Sequence, residues 1–430
     1  MPPSLRHLTA ALAAALVLPA SAQAAETVPG EVVVKREGAP ARVIENVEDV
    51  AATVERLKRD GDVAYAAPNP VARAAAFVPN DPGFGAGWQA VQWNFGPTPG
   101  VNAPEAWQNV IDAGNPGGAG VKIAVLDSGA AYADRGRYRQ SPDLNETRFA
   151  AGYDFVDRDR FPHDENGHGT HVTSTIAEST NNGRGLTGLA YGATIYPVRV
   201  LDRNGEGDAA RIAHAVRWAV REGVDIINLS LEFGTDVGAR DIPSLLDAVT
   251  YAKRKGVLVV GASGNEGDRI LAFPARSRSV FAVGATTEHG CLSDFSNIGR
   301  GIDIVAPGGG TDTALDDPNC NATGDIAGRP IFQITLEGGS LRRFGVPSSF
   351  EGTSMAAPHV TATAALVIAS RVLGPDPQPD QIIGHLQRTS RDLGTPGWDT
   401  KYGAGLLDAA AATKPLARGA SRLPRPITPR

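Results

Sequence analysis

Cysteine is nearly absent from this chain of 430 residues, which contains only Cys291 and Cys320. Two cysteines are too few for a disulfide-rich scaffold or a four-cysteine zinc site. In an oxidising compartment they permit one disulfide bond, but the sequence alone does not show that the two side chains meet. Long apolar runs are missing beyond the N-terminus, so no membrane span is predicted there.

A strong excess of charge of one sign is also absent. The chain has 41 Lys and Arg against 47 Asp and Glu, a formal net charge of −6. This mild acidity argues against nucleic acid as a partner. Apolar residues make up 42% of the chain, which is enough for a full hydrophobic core.

Residues 1–24 have the pattern of an export signal. Arg6 and His7 precede an apolar stretch at 8–20, and residues 22–24 (AQA) form a small-x-small cleavage site. The alternative is a buried N-terminal helix. The signal predicts an exported protein, extracellular or periplasmic, without a membrane anchor.

A small α+β unit is predicted at residues 25–76. Residues 30–35 and 61–66 have the pattern of strands, and residues 48–59 that of an amphipathic helix. The Pro68-Asn69-Pro70 corner and the alanine-rich stretch 71–77 then predict an exposed linker.

The long part of the chain, residues 77–412, alternates apolar runs with helical patterns. The runs lie at 121–126, 194–200, 225–229, 256–260, 280–283 and 302–305, and the helical patterns at 171–178, 209–222, 242–255 and 355–372. Apolar runs of this length suit parallel strands buried on both faces. We therefore expect an α/β domain with a mainly parallel central sheet and helices on both sides. Residues 413–430, rich in Pro and Arg, predict a flexible tail.

Ser354 is the most informative residue of the sequence. It follows Gly352 and opens a run of good helix formers, which places its hydroxyl at a helix N-terminus. Free backbone N–H groups there can bind a developing negative charge. Such a serine is a candidate nucleophile if a base and an orienting acid are also present.

Three further residues provide a base, an orienting acid and a side-chain donor for an oxyanion. Asp127 ends the apolar run at 121–126, His168 lies between glycines before a helix, and Asn265 lies in a glycine-rich turn after another run. Each alone has a simpler explanation, because aspartate and asparagine are common in turns. Together they predict an acyl-transfer site: Asp127 orients His168, His168 takes the proton of Ser354, and Asn265 with the Ser354 N–H holds the oxyanion. His171 lacks the spacing of a zinc motif and is expected to pack in the helix.

These motifs, in this order, resemble those of the subtilisin-like serine proteases, or subtilases. They are residues 124–129 (AVLDSG), 168–172 (HGTHV), 264–267 (GNEG) and 352–360 (GTSMAAPHV). The resemblance implies a three-layer αβα domain and a secreted, monomeric serine endopeptidase acting on proteins or peptides. It also implies that residues 25–76 are a propeptide, removed near 72–78, and thus a partner of the mature enzyme.

The resemblance further implies a substrate groove and bound calcium. The groove would bind an extended peptide between two segments of the chain, which are Gly205, Glu206, Gly207 and Ser230, Leu231, Glu232. Structural Ca²⁺ would be held by side-chain or backbone oxygens of Asp81, Asp143, Thr180, Asn182, Arg184 and Leu186. The simpler alternative to a calcium site is a surface turn with unrelated acids.

Glu232 departs from the family pattern, which has glycine at this position. Two alternatives stay open from the sequence. The side chain either points to solvent without a role, or attracts a basic substrate residue before the scissile bond. Residues 309–349, an insert before Ser354, have no interpretation from sequence alone.

The sequence argues against two other classes of function. An inactive subtilase acting as a binding protein would typically lack one of the four catalytic groups, and all four are present. An esterase of the α/β-hydrolase type has G-x-S-x-G, which residues 352–356 (GTSMA) do not match. A related acid-acting protease family replaces the histidine with a carboxylate, which His168 argues against.

Overall fold

The computed structural model describes residues 27–70, 76–313, 320 and 326–415. The predicted export signal, the segment 71–75 and most of the predicted tail lie outside the described residues. The chain divides into two compact units, Met1–Ala75 and Ala76–Arg430.

The first unit is a three-stranded antiparallel sheet with one helix. Its elements are β1 (Thr27–Arg36), β2 (Arg42–Ile44), α1 (Val50–Lys58) and β3 (Val63–Pro70), with strand order β2-β1-β3. Asp49 caps α1 by accepting the Ala52 N–H at 2.9 Å. Val54 and Leu57 of α1 pack on Val32 and Val34 of β1, which confirms the predicted apolar face of the helix.

One expectation for this unit is wrong. Pro68 and Pro70 do not begin a linker but belong to β3, where they pair with Val32 and Thr27 of β1. The reason is that β3 is an edge strand, and an edge strand has a free side on which proline's missing N–H costs no ladder hydrogen bond.

The second unit contains the predicted parallel sheet. Its strands are β4 (Lys122–Asp127), β5 (Arg148–Phe149), β6 (Tyr153–Asp154), β7 (Thr194–Arg199), β8 (Ile226–Leu229), β9 (Leu258–Ala262), β10 (Phe281–Thr286), β11 (Ile304–Pro307), β12 (Thr335–Leu336) and β13 (Phe344–Gly345). Its α-helices are α2 (Trp88–Val91), α3 (Ala103–Asp112), α4 (His168–Ala177), α5 (Ala209–Arg221), α6 (Pro243–Arg254), α7 (Thr353–Ser370), α8 (Pro379–Thr389) and α9 (Ala409–Thr413). The eight-stranded sheet has the order β11-β10-β9-β8-β4-β7-β5, with β6 also beside β7, and every pairing in it is parallel.

Side chains of β4 alternate between two apolar layers, as the period of a strand requires. Ile123 and Val125 face the layer that contains α3, α4 and α7. Ala124 and Leu126 face the layer that contains α5 and α6. Burial on both faces explains why β4 is apolar throughout its centre, and it gives the three-layer αβα arrangement that the sequence predicted.

Helix α7 is buried around nearly its whole circumference. Only Ser354, Ile368 and Ser370 of its residues are not fully buried. It packs against β8, β9, β10 and β11. A helix buried on all sides is held rigidly, which fixes the position of its N-terminal residues.

The insert before α7 packs against the start of α4. Its strands β12 and β13 form an antiparallel pair. The Ile331 carbonyl lies 2.9 Å from His171 Nε2, and the Ile334 carbonyl accepts the Ser174 hydroxyl at 3.1 Å. The Thr335 hydroxyl donates to the Gly167 carbonyl, directly before His168. The insert therefore braces the helix that carries His168.

One question that the sequence leaves open, whether the two cysteines meet, is settled by the structure. Cys291 and Cys320 form a disulfide bond that closes a loop with a sequence separation of 29. No helix among the described residues is both long enough and apolar enough to cross a membrane.

Candidate active site

Asp127 and His168 meet at the carboxyl end of the parallel sheet. Asp127 is the last residue of β4 and is fully buried, and His168 is the first residue of α4. The His168 Nδ1 lies 2.7 Å from Asp127 Oδ1, which also accepts the Ser128 N–H at 2.7 Å. A carboxylate only accepts hydrogen bonds, so Nδ1 carries the proton and Nε2 is left free to accept one.

Glycine lets helix α4 approach the catalytic strand this closely. A Cβ at Gly169 would lie 2.1 Å from the Gly129 carbonyl oxygen and 3.1 Å from Asp127 Oδ1. Any other residue at 169 would push α4 away from β4. The H-G-T-H pattern therefore reflects a steric need for the contact between Asp127 and His168.

The Asp127 carboxylate sets the basicity of His168. Burial lowers the pKa of His168, but the charge and hydrogen bond of Asp127, with a smaller contribution from Asp164, outweigh burial and raise it above the ordinary 6.5. His171 is fully buried and stacks on Phe350 at 4.3 Å, and burial lowers its pKa to about 3. The expectation that His171 is a packed helix residue is confirmed.

Ser354 is the second residue of α7 and lines the same cavity as His168. Its hydroxyl donates to the Ser230 carbonyl at 3.2 Å. The Ser230 hydroxyl in turn donates to the Ser354 carbonyl at 2.7 Å. These two bonds join the start of α7 to the segment after β8, so the candidate nucleophile lies directly beside the candidate substrate groove.

Thr353, the residue before Ser354, orients the side chain of Asn265. Its Oδ1 accepts the Thr353 N–H at 2.8 Å and the Thr353 hydroxyl at 3.1 Å. This leaves the amide nitrogen pointing away from Thr353 as a donor. The preceding Gly264 has φ +114°, and a Cβ there would lie 2.1 Å from Asn297 Nδ2, so the turn requires glycine.

The six predicted groove residues all line one open cavity of about 670 Å³. His168 and Ser354 line it as well. The segment with Glu206 follows β7 and the segment with Glu232 follows β8, so both lie at the carboxyl edge of the sheet, where ligands of such folds bind.

The alternative that Glu232 points to solvent is wrong. Its Oε1 accepts the Asn265 amide at 2.9 Å, and its Oε2 is buried without a hydrogen-bond partner among the described residues. Burial raises the pKa of Glu232, and the nearby Glu266 charge adds to that rise. The side chain turns inward because the Asn265 amide offers its carboxylate a hydrogen-bond donor.

The structure brings the predicted calcium residues together around one loop. Asp81 accepts the N–H groups of Asn181 and Asn182, at 2.8 and 3.0 Å. Asp143 accepts the Asn182 amide and the Leu186 N–H, both at 2.8 Å. Burial raises the pKa of Asp143 to about 6 and raises that of Asp81.

The donor set of this loop fits calcium. Within the described part of the chain no N–H or O–H donates to the backbone carbonyls of Thr180, Arg184 and Leu186, so these oxygens are free to bind a cation. Each Asp143 oxygen accepts one hydrogen bond and keeps a second lone pair. Glu178, also fully buried, places a third acid near Asp81 and Asp143, and a hard cation would offset this concentration of carboxylates.

Sequence reasoning missed two residues that shape the site. Asp164, fully enclosed, accepts the N–H groups of Asn166, Gly167 and Thr170 at 2.8 to 2.9 Å and so orders the turn before His168. Thr353 orients Asn265, as described above. The signal for Asp164 was present, because it lies two residues before Asn166-Gly167, and Asp, Asn and Gly are typical turn formers.

A parallel sheet between two layers of helices, with serine, histidine and aspartate at its carboxyl edge, is the arrangement of a serine hydrolase. Comparison with known proteins makes the assignment specific. Residues 118–405 match the model of the subtilase family, the S8 peptidases. The chain is 37% identical to subtilisin Savinase of Lederbergia lenta over 327 residues, which is 76% of this chain and all of that protein.

Two further relatives agree with that match. The chain is 38% identical to a thermophilic serine proteinase of Bacillus sp. strain AK1 over 321 residues, 75% of this chain and 67% of that protein. Its structure resembles that of a protease from Pseudoalteromonas arctica with a TM-score of 0.62 and 31% identity, covering 78% of this chain and 99% of the other. The chain belongs to the subtilase family and is a serine-type endopeptidase that hydrolyses peptide bonds.

Proposed function

We propose that the chain is an exported endopeptidase, made as a proenzyme, in which Asp127, His168 and Ser354 form the catalytic triad. The observation that carries the proposal is that His168 Nδ1 lies 2.7 Å from Asp127 Oδ1 while His168 lines the same cavity as Ser354. The direct test is labelling of Ser354 by a fluorophosphonate, located by mass spectrometry. An unlabelled Ser354 in a protein that still cleaves casein would refute the triad.

The geometry supports the following sequence of steps. The Ser354 hydroxyl turns from the Ser230 carbonyl toward the ring of His168, whose free Nε2 takes its proton as the oxygen attacks the peptide carbonyl. Asp127 holds the ring and stabilises the imidazolium. His168 then protonates the leaving amine, and water repeats the sequence to release the acyl group from Ser354.

Two donors would stabilise the oxyanion formed in each step. One is the Ser354 N–H, at the N-terminus of α7, where the first N–H groups of a helix have no partner inside the helix. The other is the Asn265 amide, held in place by Thr353. Because both donors lie on rigid elements, they need little reorganisation when the charge develops.

The pH dependence of the reaction should report the raised pKa of His168. His168 must be neutral to accept a proton, so kcat/KM falls as pH decreases through its pKa. Since Asp127 holds that pKa above 6.5, the acidic limb of the kcat/KM profile is expected to have its midpoint above pH 6.5. The rate of fluorophosphonate labelling, which needs no charged substrate, should follow the same limb. A midpoint at or below 6.5 in both assays would contradict the assigned geometry.

The N-terminal unit is proposed to be the propeptide. It is compact on its own, with a small core built from β1, β3 and α1. The bond joining it to the catalytic unit would lie near residues 72–78, part of which is outside the described residues. Residues 1–24 are proposed to direct export, and sequencing the N-terminus of secreted enzyme would locate both cleavage sites.

Calcium is proposed to bind the 180–186 loop, with Asp143 and the free loop carbonyls as its main ligands. A cation bound only by the folded protein stabilises it, by about 2.7 kcal/mol when its concentration is 100 times Kd. We therefore expect EDTA to lower the melting temperature by about 4 °C, and added Ca²⁺ to restore it.

The matched variant for this test is Asp143→Asn, which keeps the side-chain size but removes the charge. Its melting temperature should be lower at the start and insensitive to EDTA. A wild-type melting temperature that does not change with EDTA would refute calcium binding, whatever the activity.

A further inference from the structure

The amide that the proposed mechanism assigns to the oxyanion is bound by a carboxylate. Asn265 Nδ2 lies 2.9 Å from Glu232 Oε1. The second oxygen, Oε2, is buried and accepts no hydrogen bond from a described residue. A buried carboxylate oxygen without a donor is costly, so Glu232 lacks one partner that a bound molecule could supply.

The cavity around Glu232 has an acidic lining. Glu232 and Glu206 both line it, and no lysine or arginine is among its described lining residues. His168 also lines the cavity, but its ring is already paired with Asp127. No cation among the described lining residues therefore offsets the charge of Glu232, and a cationic group is the complement that this cavity lacks.

The position of Glu232 affects the chemical step as well as binding. An oxyanion lies about 3 Å from its donor, so the 2.9 Å contact places Glu232 Oε1 no more than about 6 Å from it. Two negative charges at that distance, in a medium with an effective dielectric constant of about 20, repel enough to slow turnover about 10²-fold. A positive charge beside Glu232 would cancel that repulsion during the transition state.

We propose that Glu232 determines the primary specificity of this protease, which cleaves after arginine or lysine. The cationic side chain before the scissile bond donates to the free Oε2 and neutralises Glu232 as the oxyanion forms on Asn265. Arginine is favoured over lysine because its planar guanidinium donates in a fork to a carboxylate. The inference rests on the proposed roles of Ser354 and Asn265 and adds the substrate class.

The sharpest test uses two chromogenic peptides that differ only in the residue before the scissile bond, arginine in one and citrulline in the other. Citrulline has the shape of arginine without its charge. Wild-type enzyme is expected to prefer arginine by about 10²-fold in kcat/KM. This comparison needs no variant, so a folding defect cannot obscure it.

Glu232→Gln is the decisive variant, because the glutamine carbonyl still accepts the Asn265 amide while the charge is gone. The preference for arginine should fall to within about threefold, and the citrulline peptide should be cleaved about 10²-fold faster than by wild type. Glu351→Gln removes an exposed acid that does not line the cavity, and it should leave the wild-type preference unchanged.

Three results would overturn the inference. Wild-type enzyme that cleaves both peptides equally well, or prefers an apolar residue, has no charge-based specificity. A Glu232→Gln enzyme that loses the same factor on both peptides shows that Glu232 only positions Asn265. Loss of the preference in Glu351→Gln would point to the general charge of the surface. Failure of the proposed function itself looks different: no peptide is cleaved and Ser354 is not labelled.

Discussion

Replacing Ser354 with alanine is expected to remove nearly all hydrolysis while leaving the fold intact. The hydroxyl is the only side-chain group of the residue that the mechanism uses, alanine keeps the backbone N–H, and alanine is a good helix former at the start of α7. In subtilisin, loss of the nucleophile lowers kcat about 10⁶-fold, and we expect a loss of similar size in this relative. Casein and chromogenic peptide hydrolysis by processed protein measures it.

The control for Ser354→Ala is Ser244→Ala, on the exposed side of α6. Both variants should have melting temperatures close to wild type, and only Ser354→Ala should lose fluorophosphonate labelling. Residual activity is expected because the oxyanion donors and the groove still bind the transition state. An alanine enzyme that keeps more than a tenth of wild-type turnover would show that another residue attacks the substrate.

Replacing Asp127 with asparagine should have the second-largest effect, a fall in kcat of about 10⁴-fold, the size known for the same substitution in another Ser-His-Asp protease. The carboxylate charge that stabilises the imidazolium is lost. An asparagine amide must also either bury its NH₂ at the position of Oδ2, which has no partner among the described residues, or turn that NH₂ toward His168 and the Ser128 N–H. The second arrangement favours the tautomer whose Nε2 carries a proton and cannot accept one from Ser354.

The same variant changes the pH profile in a defined direction. Burial lowers the pKa of His168, and it is Asp127 that raises it above 6.5. Without that carboxylate, the acidic limb of the residual activity should move to lower pH. Asp247→Asn, an exposed site on α6, serves as the control and should change neither kcat nor the limb. A loss smaller than tenfold in Asp127→Asn, or an unmoved limb, would show that Asp127 does not orient His168.

Much of the fold could be predicted because it depends on local patterns. The apolar run at 121–126 predicted β4 within one residue, and the run at 194–200 did the same for β7. Helix α5 was predicted at 209–222 and spans Ala209–Arg221. These elements are strongly periodic, and one-dimensional periodicity is a direct consequence of burial in layers.

The proline segment 68–70 shows where local patterns fail. Two prolines in three residues predict a turn, yet β3 continues through Pro70. The strand accommodates these prolines because β3 lies at the edge of its sheet, and the order of strands in a sheet is a tertiary property. The structure of the insert before α7 could not be predicted from the sequence for a related reason. Its short strands have weak patterns, and its contacts with His171 and Ser174 each join residues 160 positions apart.

For the site, as for the fold, some features follow from the sequence and others only from the tertiary structure. The sequence by itself determined the family, the parallel sheet, and the identity and order of Asp127, His168, Asn265 and Ser354, because short motifs encode the tight turns and helix starts that the chemistry needs. Only the tertiary structure decided that Cys291 bonds Cys320 and that Glu232 turns inward onto Asn265. Those contacts depend on which distant side chains the packed elements bring within bonding distance, and no local pattern in the chain records that.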